Sequence, residues 1–368
     1  MDSVVHACED LTEEHIAHLE KLQESLAILA DFSRADVIMY CPLNPERAVV
    51  AAQFRPHSIL PIYEQSLVGR QVGFADEPEV MRALTEGHRG FSEVRRRIGK
   101  RRSPAEGAPT VRETYPICDA EGKIIAAVCI ETNLIERERH RRRSKVFQRS
   151  LRQFQQMVLA GQLRGVGDLT SFAEHDGVMV LDAQHRIQYI SGIATSMYRK
   201  LGYAGDLLKR YVEDLEPDDN SLVLEALVNR QCYERELRIR DLIWVKKAIP
   251  IFVPRRGLRR RVRNDKTPWR LEGALVAIHD QTDERRQEEE LQVKVAMIRE
   301  IHHRVKNNMK TVASLLRLQS RRAESEETRR ALQEGINRIL SVAVIHEFLA
   351  HLSARVINIR DVSQRIIE

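Results

Sequence analysis

Residues 299–310 read REIHHRVKNNMK, two adjacent histidines set among Arg299, Arg304, Lys306 and Lys310, with an asparagine pair just beyond. A neutral imidazole in cationic surroundings suits attack on an anionic group, because one ring nitrogen can be held as N–H while the other keeps its lone pair. Glu300 lies three residues before His303, within reach on a helix, and can fix the ring's tautomer. Arg304, Lys306 and Asn307 can bring cations and an amide donor to the oxygens of a transferred phosphoryl group. Metal binding fits less well. Neighbouring side chains on a helix diverge by about 100°, and no carboxylate–histidine pair is completed one turn on. The plain alternative is a solvated histidine on a helix surface.

The elements that hold these residues are legible in the spacing. Residues 284–322 contain no Gly or Pro and run through strong helix formers. With Ile298 as heptad position a, Val305, Val312 and Gln319 follow at a, and Ile301, Asn308 and Leu315 fall at d. This predicts a coiled-coil or bundle seam. His303 falls at f, opposite the seam, with Lys310 and Arg317; His302 borders the apolar stripe with Met309 and Leu316. A second helix over about 326–352 offers Leu332, Ile336, Ile339, Ala343 and His346, or Val342, Ile345 and Leu349. RRAESEET between them is a polar turn, with Ser325 able to cap. Two such hairpins bury each other's apolar faces as a four-helix bundle, so a homodimer is expected.

The remaining chain, at 368 residues in all, is long enough for two or three cores. No stretch approaches the roughly 18–20 apolar residues of a membrane span, and MDSVVHACEDLTEEH lacks the order of a secretion signal. The expectation is a cytoplasmic protein without a membrane partner. Cys8, Cys41, Cys118, Cys129 and Cys232 show no CxxC spacing and are expected to be buried reduced thiols, with no metal site. Basic runs stand at 95–102, 137–145 and 255–263. However, 59 Lys and Arg are nearly balanced by 53 Asp and Glu, and no aromatic residues interleave with the runs, so nucleic-acid binding is disfavoured.

Helical spacing marks 11–32, with Thr12 as cap, followed by strands over 35–43 and 48–56 and a short helix near 77–87. The polar segment 95–109 reads as an exposed loop, and strands 111–118 and 123–132 flank a turn at Gly122. From 134 to about 165 the chain is highly charged and helical, with stops at Gly161, Gly165 and Gly167. Strands then fall at 176–182, 187–191, 234–240, 242–254 and 271–280, with helical pieces near 193–201 and 221–229. The fold class is α+β, with antiparallel-sheet sensor domains joined by long helices to a helical hairpin.

DGVMVLDAQHRIQYIS resembles the opening of a PAS domain. ALVAIHDQTDERRQEEEL resembles that fold's last strand and exit helix, with Asp280, Thr282 and Asp283 in the corner and Arg285 just beyond. The N-terminal element order resembles a GAF domain. EIHHRVKNNMKTVASLLRLQSRR resembles the phosphoacceptor helix of sensor histidine kinases with an H-R-V-K-N-N motif, and RALQEGINRILSVAVIHEFL is similar to that family's second helix. The whole order is similar to soluble actinobacterial kinases that phosphorylate antiterminator-type (ANTAR) response regulators.

The resemblance implies a histidine kinase that phosphorylates itself on His303, the histidine before R-V-K-N, using ATP and Mg, and passes the group to an aspartate of a response-regulator receiver domain. The implied layout is a GAF-like sensor over 1–133, a connecting helix over 134–168, PAS over 169–283, a signalling helix over 284–297 and the hairpin over 298–354. Residues 355–368 begin a link to an ATP-binding domain. No asparagine box or glycine-rich lid follows before Glu368, so this stretch alone is expected not to phosphorylate itself. Two readings stay open beside the kinase: a non-enzymatic dimeric ligand sensor or scaffold, and a nucleic-acid-binding regulator. Neither sensor half shows a flavin-reactive cysteine motif or a CxxCH haem site, and the sensor ligand is left unknown.

Overall fold

A computed structural model describes Cys8 and residues 11–95, 109–254 and 269–351, and divides into two compact units, Met1–Gln281 and Thr282–Glu368. Most of the basic runs at 95–102 and 255–263, the loop expected at 95–109, and the link at 355–368 lie outside the described residues.

Within the first unit, α1 (Glu13–Ser33) starts where Thr12 Oγ1 accepts from the His15 amide at 3.3 Å. Six antiparallel strands follow: β1 (Asp36–Asn44), β2 (Arg47–Phe54), β3 (Gln71–Gly73), β4 (Gly90–Arg95), β5 (Pro109–Cys118) and β6 (Ile124–Asn133). They line up in the order β3-β2-β1-β6-β5-β4, with α2 (Pro78–Glu86) between β3 and β4. Gly122 takes φ +87° at the β5–β6 turn, a backbone conformation that favours glycine.

The charged stretch after β6 is two helices rather than the single helix expected. α3 (Leu134–Arg142) ends at Arg143, and Ser144 Oγ then accepts from the Phe147 amide at 3.2 Å to start α4 (Lys145–Leu159). A local serine cap outcompetes helix continuation here.

The second sheet runs β8-β7-β11-β10-β9, built from β7 (Gly177–Asp182), β8 (Ile187–Ile190), β9 (Tyr233–Ile239), β10 (Leu242–Pro254) and β11 (Trp269–Asp280). Helices α5 (Gly192–Lys200) and α6 (Pro217–Asn229) lie between β8 and β9 in sequence and cover one face. The order is that of the PAS fold expected from the sequence. β7 and β11 approach so closely that a Cβ on Gly273 would overlap the Leu181 carbonyl oxygen.

The two sheets share one core. Leu22, Leu26 and Leu29 of α1 and Phe154 and Met157 of α4 are buried with Val37 and Val128 of the first sheet and with Ile249, Ile251 and Leu275 of the second. Phe32 meets Phe154 at 5.4 Å and Phe172 at 5.8 Å, both edge-on. Asp31 fastens the same junction: its carboxylate accepts from the His57 amide at 2.6 Å and the Phe172 amide at 3.1 Å. All five cysteines are free thiols; Cys118 is exposed, against expectation, because β5 ends there.

Three carboxylates are buried on the α2 side of the first sheet. Asp36 and Glu131 are direct cross-strand neighbours on β1 and β6. Glu131 accepts from Arg112 Nε at 2.5 Å and from the Tyr63 hydroxyl at 2.7 Å, and Arg112 also pairs with Glu77. Asp36 accepts from the Ile62 amide, at 2.8 Å, on one oxygen. Burial, reinforced by Glu131 and opposed by that amide, pushes its carboxyl up to about 7.

A carboxyl raised on folding binds its proton more tightly in the folded state. Its stabilising contribution is full at low pH and is lost as pH rises through about 7. The Asp36→Asn protein is therefore expected to unfold at a higher temperature than the parent at pH 8, by on the order of a few kcal/mol in stability, and to match it near pH 4. Parallel thermal melts at the two pH values check this. An equal offset at both would show that Asp36 does not titrate in this range.

Candidate functional site

The second unit is a hairpin of α7 (Thr282–Arg322) and α8 (Glu326–His351). Its packing separates two apolar stripes on α7. Ala313 and Ser320 are buried and His302, Val305, Lys306, Met309 and Leu316 half-buried, a row that falls mainly on positions e and b. The matching row on α8 is Leu332, Ile336, Ile339, Leu340 and Ala343, with Ile336 wholly buried. By contrast, Ile298, Ile301, Val312 and Leu315, at a and d, stay exposed, Ile301 at 58%.

The a/d seam expected from the sequence is therefore not the surface that meets α8. Apolar residues at a, d and e span more than one face, and the intrachain partner takes the e side. On α8, Val342 and Ile345 are likewise exposed. The side chains of His346 and Leu349 lie outside the described residues.

His303 is exposed, whereas His302 is half-buried on the α8 side. At about 100° per residue, His303 stands roughly 160° from Ile301 and about 180° from Val312. Glu300 and Asn307 fall within about 60° of it, as expected, and both are exposed.

Glu300 does more than face the ring. Its carboxylate accepts from Arg304 Nε at 2.7 Å, and that bond, the charge of Arg304 and, more weakly, His303 hold the Glu300 carboxyl below its ordinary range. Arg304 is thus committed to Glu300, and its own position diverges from His303 by about 100°. Two cations pointed out in the sequence but given no role stand closer to the ring's direction: Lys310 at about 20° and Arg299 at about 40°. Their signal was available in the helical count, since i−4 and i+7 return nearly to the starting face. Lys306 sits half-buried toward α8.

The surface around His303 thus has an imidazole, a carboxylate, an amide and two cations on one face of a helix, with an unfilled apolar stripe on the opposite face. Such a face can present a nucleophile and neutralise an incoming anion without a cavity. Among the described residues, no helix is long and apolar enough to cross a membrane.

Known proteins resemble this chain along most of its length. Residues 1–150 match the family model for the GAF domain of histidine kinase PdtaS, and residues 300–368 match the histidine kinase model HisKA_2. The sensor histidine kinase PdtaS of Mycolicibacterium smegmatis is 29% identical over 375 residues, covering 97% of this chain and 72% of the relative. PdtaS of Mycobacterium tuberculosis is 28% identical over 372 residues, with the same coverage. Among solved structures, the sensor region of a sensor histidine kinase aligns with a TM-score of 0.55 at 19% identity, over 77% of this chain and all of that one. That last likeness concerns the fold.

Proposed function

Taking the chain as a two-component sensor histidine kinase, with a GAF segment at one end and a phosphoacceptor segment at the other, we propose that His303 carries the phosphoryl group. The observation that supports this reading above others is the outward ring at 303, set opposite an exposed apolar stripe, while the ring at 302 turns toward α8.

The unprotonated ring nitrogen attacks the γ-phosphorus of ATP, which is presented with magnesium by the family's ATP-binding domain. The bridging P–O bond breaks with its electron pair going to ADP, and the ring gives up the proton on its other nitrogen to water. Because Arg304 keeps Glu300 ionised, Glu300 serves to hold that N–H and orient the ring, not to store the proton. Arg299, Asn307 and Lys310 offset the charge of the γ-oxygens, while Arg304 positions Glu300.

The phosphoramidate then passes its phosphoryl group to a receiver aspartate of a response regulator, of the ANTAR type. The exposed stripe of Ile298, Ile301, Val312 and Leu315 packs against a second copy, which makes the kinase a homodimer working in the cytoplasm.

The test is transfer. Kinase joined to the family's ATP-binding domain, labelled from [γ-32P]ATP, freed of nucleotide and mixed with the receiver, should lose acid-labile, alkali-stable label as the receiver gains it. A receiver that stays unlabelled while the kinase keeps its phosphoryl group would overturn the assignment.

A further inference from the structure

A cleft of about 280 Å³ opens between strands β5 and β6 of the first sheet and helices α3 and α4, on the side away from α2. Its walls carry Arg89, Arg137, Arg141 and Arg152 against one carboxylate, Glu113. Glu113 is already engaged, since it accepts from the Tyr115 hydroxyl at 2.6 Å.

Two of the guanidiniums are held on aromatic faces: Arg89 lies over Tyr115 at 4.3 Å and Arg137 over Phe91 at 4.9 Å. Stacking fixes the plane of a guanidinium while leaving its in-plane N–H donors available. Arg141 pairs with Glu138 at 3.4 Å. Among the described residues, neither Arg137 nor Arg152 has a carboxylate partner.

The cleft also contains an acceptor with nothing to accept. His140 Nε2 donates to the Ser33 carbonyl at 3.1 Å, so Nδ1 bears the lone pair, and that atom is buried without a hydrogen-bond partner. Burial first, and the charge of Arg143 next, hold the ring's pKa down to about 4, so it stays neutral and accepting at physiological pH. Gln148, by contrast, is satisfied by the carbonyls of Arg141 and Arg143. Unpaired arginines call for an oxyanion, whereas a buried lone pair calls for a hydroxyl. The volume, at the low end of ligand pockets, restricts the occupant to about a dozen heavy atoms around those two groups.

We propose that this cleft binds a small hydroxylated oxyanion, with Arg137 and Arg152 on its charge and His140 Nδ1 accepting from its hydroxyl. The ligand would tie α3 to α4. Since α4 packs against both sheets in the shared core, occupancy would stiffen the junction of the two sensor folds. The site is independent of the role given to His303.

Titration calorimetry on the whole chain tests this with three probes: glycerol 3-phosphate, citrate and ethyl phosphate. Saturable binding of one of the first two is expected, with ethyl phosphate weaker because it lacks a hydroxyl. Preference for glycerol 3-phosphate identifies the ligand as a phosphate ester, and preference for citrate as a hydroxycarboxylate. The Arg152→Ala protein, altered at an exposed residue, should bind at least about tenfold more weakly, and Arg137→Ala likewise. Higher salt should weaken binding further. No saturable heat up to about 10 mM with any probe, or equal affinity in both variants and the parent, would overturn the proposal. Thermal melts of both variants establish that they remain folded.

Discussion

With glutamine in place of His303 in the kinase joined to the family's ATP-binding domain, phosphorylation by ATP and magnesium is expected to fall to background, a loss of at least about three orders of magnitude. Glutamine keeps the polarity and approximate length of the side chain but has no nitrogen lone pair that can attack phosphorus. The parallel His302→Gln protein should keep phosphorylation within a few-fold of the parent. Its ring borders α8, and its loss disturbs packing without removing the nucleophile. The contrast between the two variants matters more than either alone, since a general defect in the hairpin would lower both. Label that survives in His303→Gln and vanishes in His302→Gln would transfer the acceptor role to the neighbouring ring.

The second large effect is on stability. Arg112 is 4% exposed and stands between Glu77 and Glu131, with Asp36 directly across from Glu131. Replacing it with leucine leaves these carboxylates without their cation in a place that water barely reaches. Breaking a buried pair in this way costs about 3–5 kcal/mol, a large part of a typical domain's 5–15 kcal/mol. The stranded carboxylates can escape by binding protons, so the Arg112→Leu protein should be less impaired at pH 5 than at pH 8. Adding Glu77→Gln and Glu131→Gln should recover part of the loss. Denaturant titrations at the two pH values provide the measurement. A deficit below about 1 kcal/mol at pH 8 would mean that the cluster is wetter and softer than its burial indicates.

Period-two and period-3.6 patterns exposed most of the architecture before any coordinates, because burial on one face writes itself into residue spacing. The 242–254 strand was legible end to end from its apolar run. What stayed hidden depends on partners remote in sequence. Lys246 and Lys247 look like surface residues, yet both are buried. Lys246 pairs with Asp219 beside the Tyr198 hydroxyl, and Lys247 donates to the Ser171 carbonyl at 2.8 Å. No local pattern announces an ion pair closed by a residue on α6. Arg112 was equally silent, sitting in a strand whose alternation says only that its side chain faces one way.

The three-residue β3 is too short for a period to emerge, and β4 opens on a glycine and runs into the basic segment that reads as a loop. At the histidine helix, heptad counting set residue 303 opposite the a/d stripe, and both are exposed. It could not say that the second helix would take the e and b side, since the apolar residues at e border the a/d stripe and extend it around the helix.

That division of α7 into two stripes has an evolutionary side. The residues that close the hairpin on itself, such as Ala313, Met309 and Leu316, are not those left outside, such as Ile301 and Leu315. Where the outer set pairs two copies, as proposed, mutational drift in it changes which copies associate while leaving the monomer's own fold untouched. After gene duplication, sister proteins built on this hairpin could cease to mix through a few substitutions in that row, keeping parallel pathways in one cell insulated from each other.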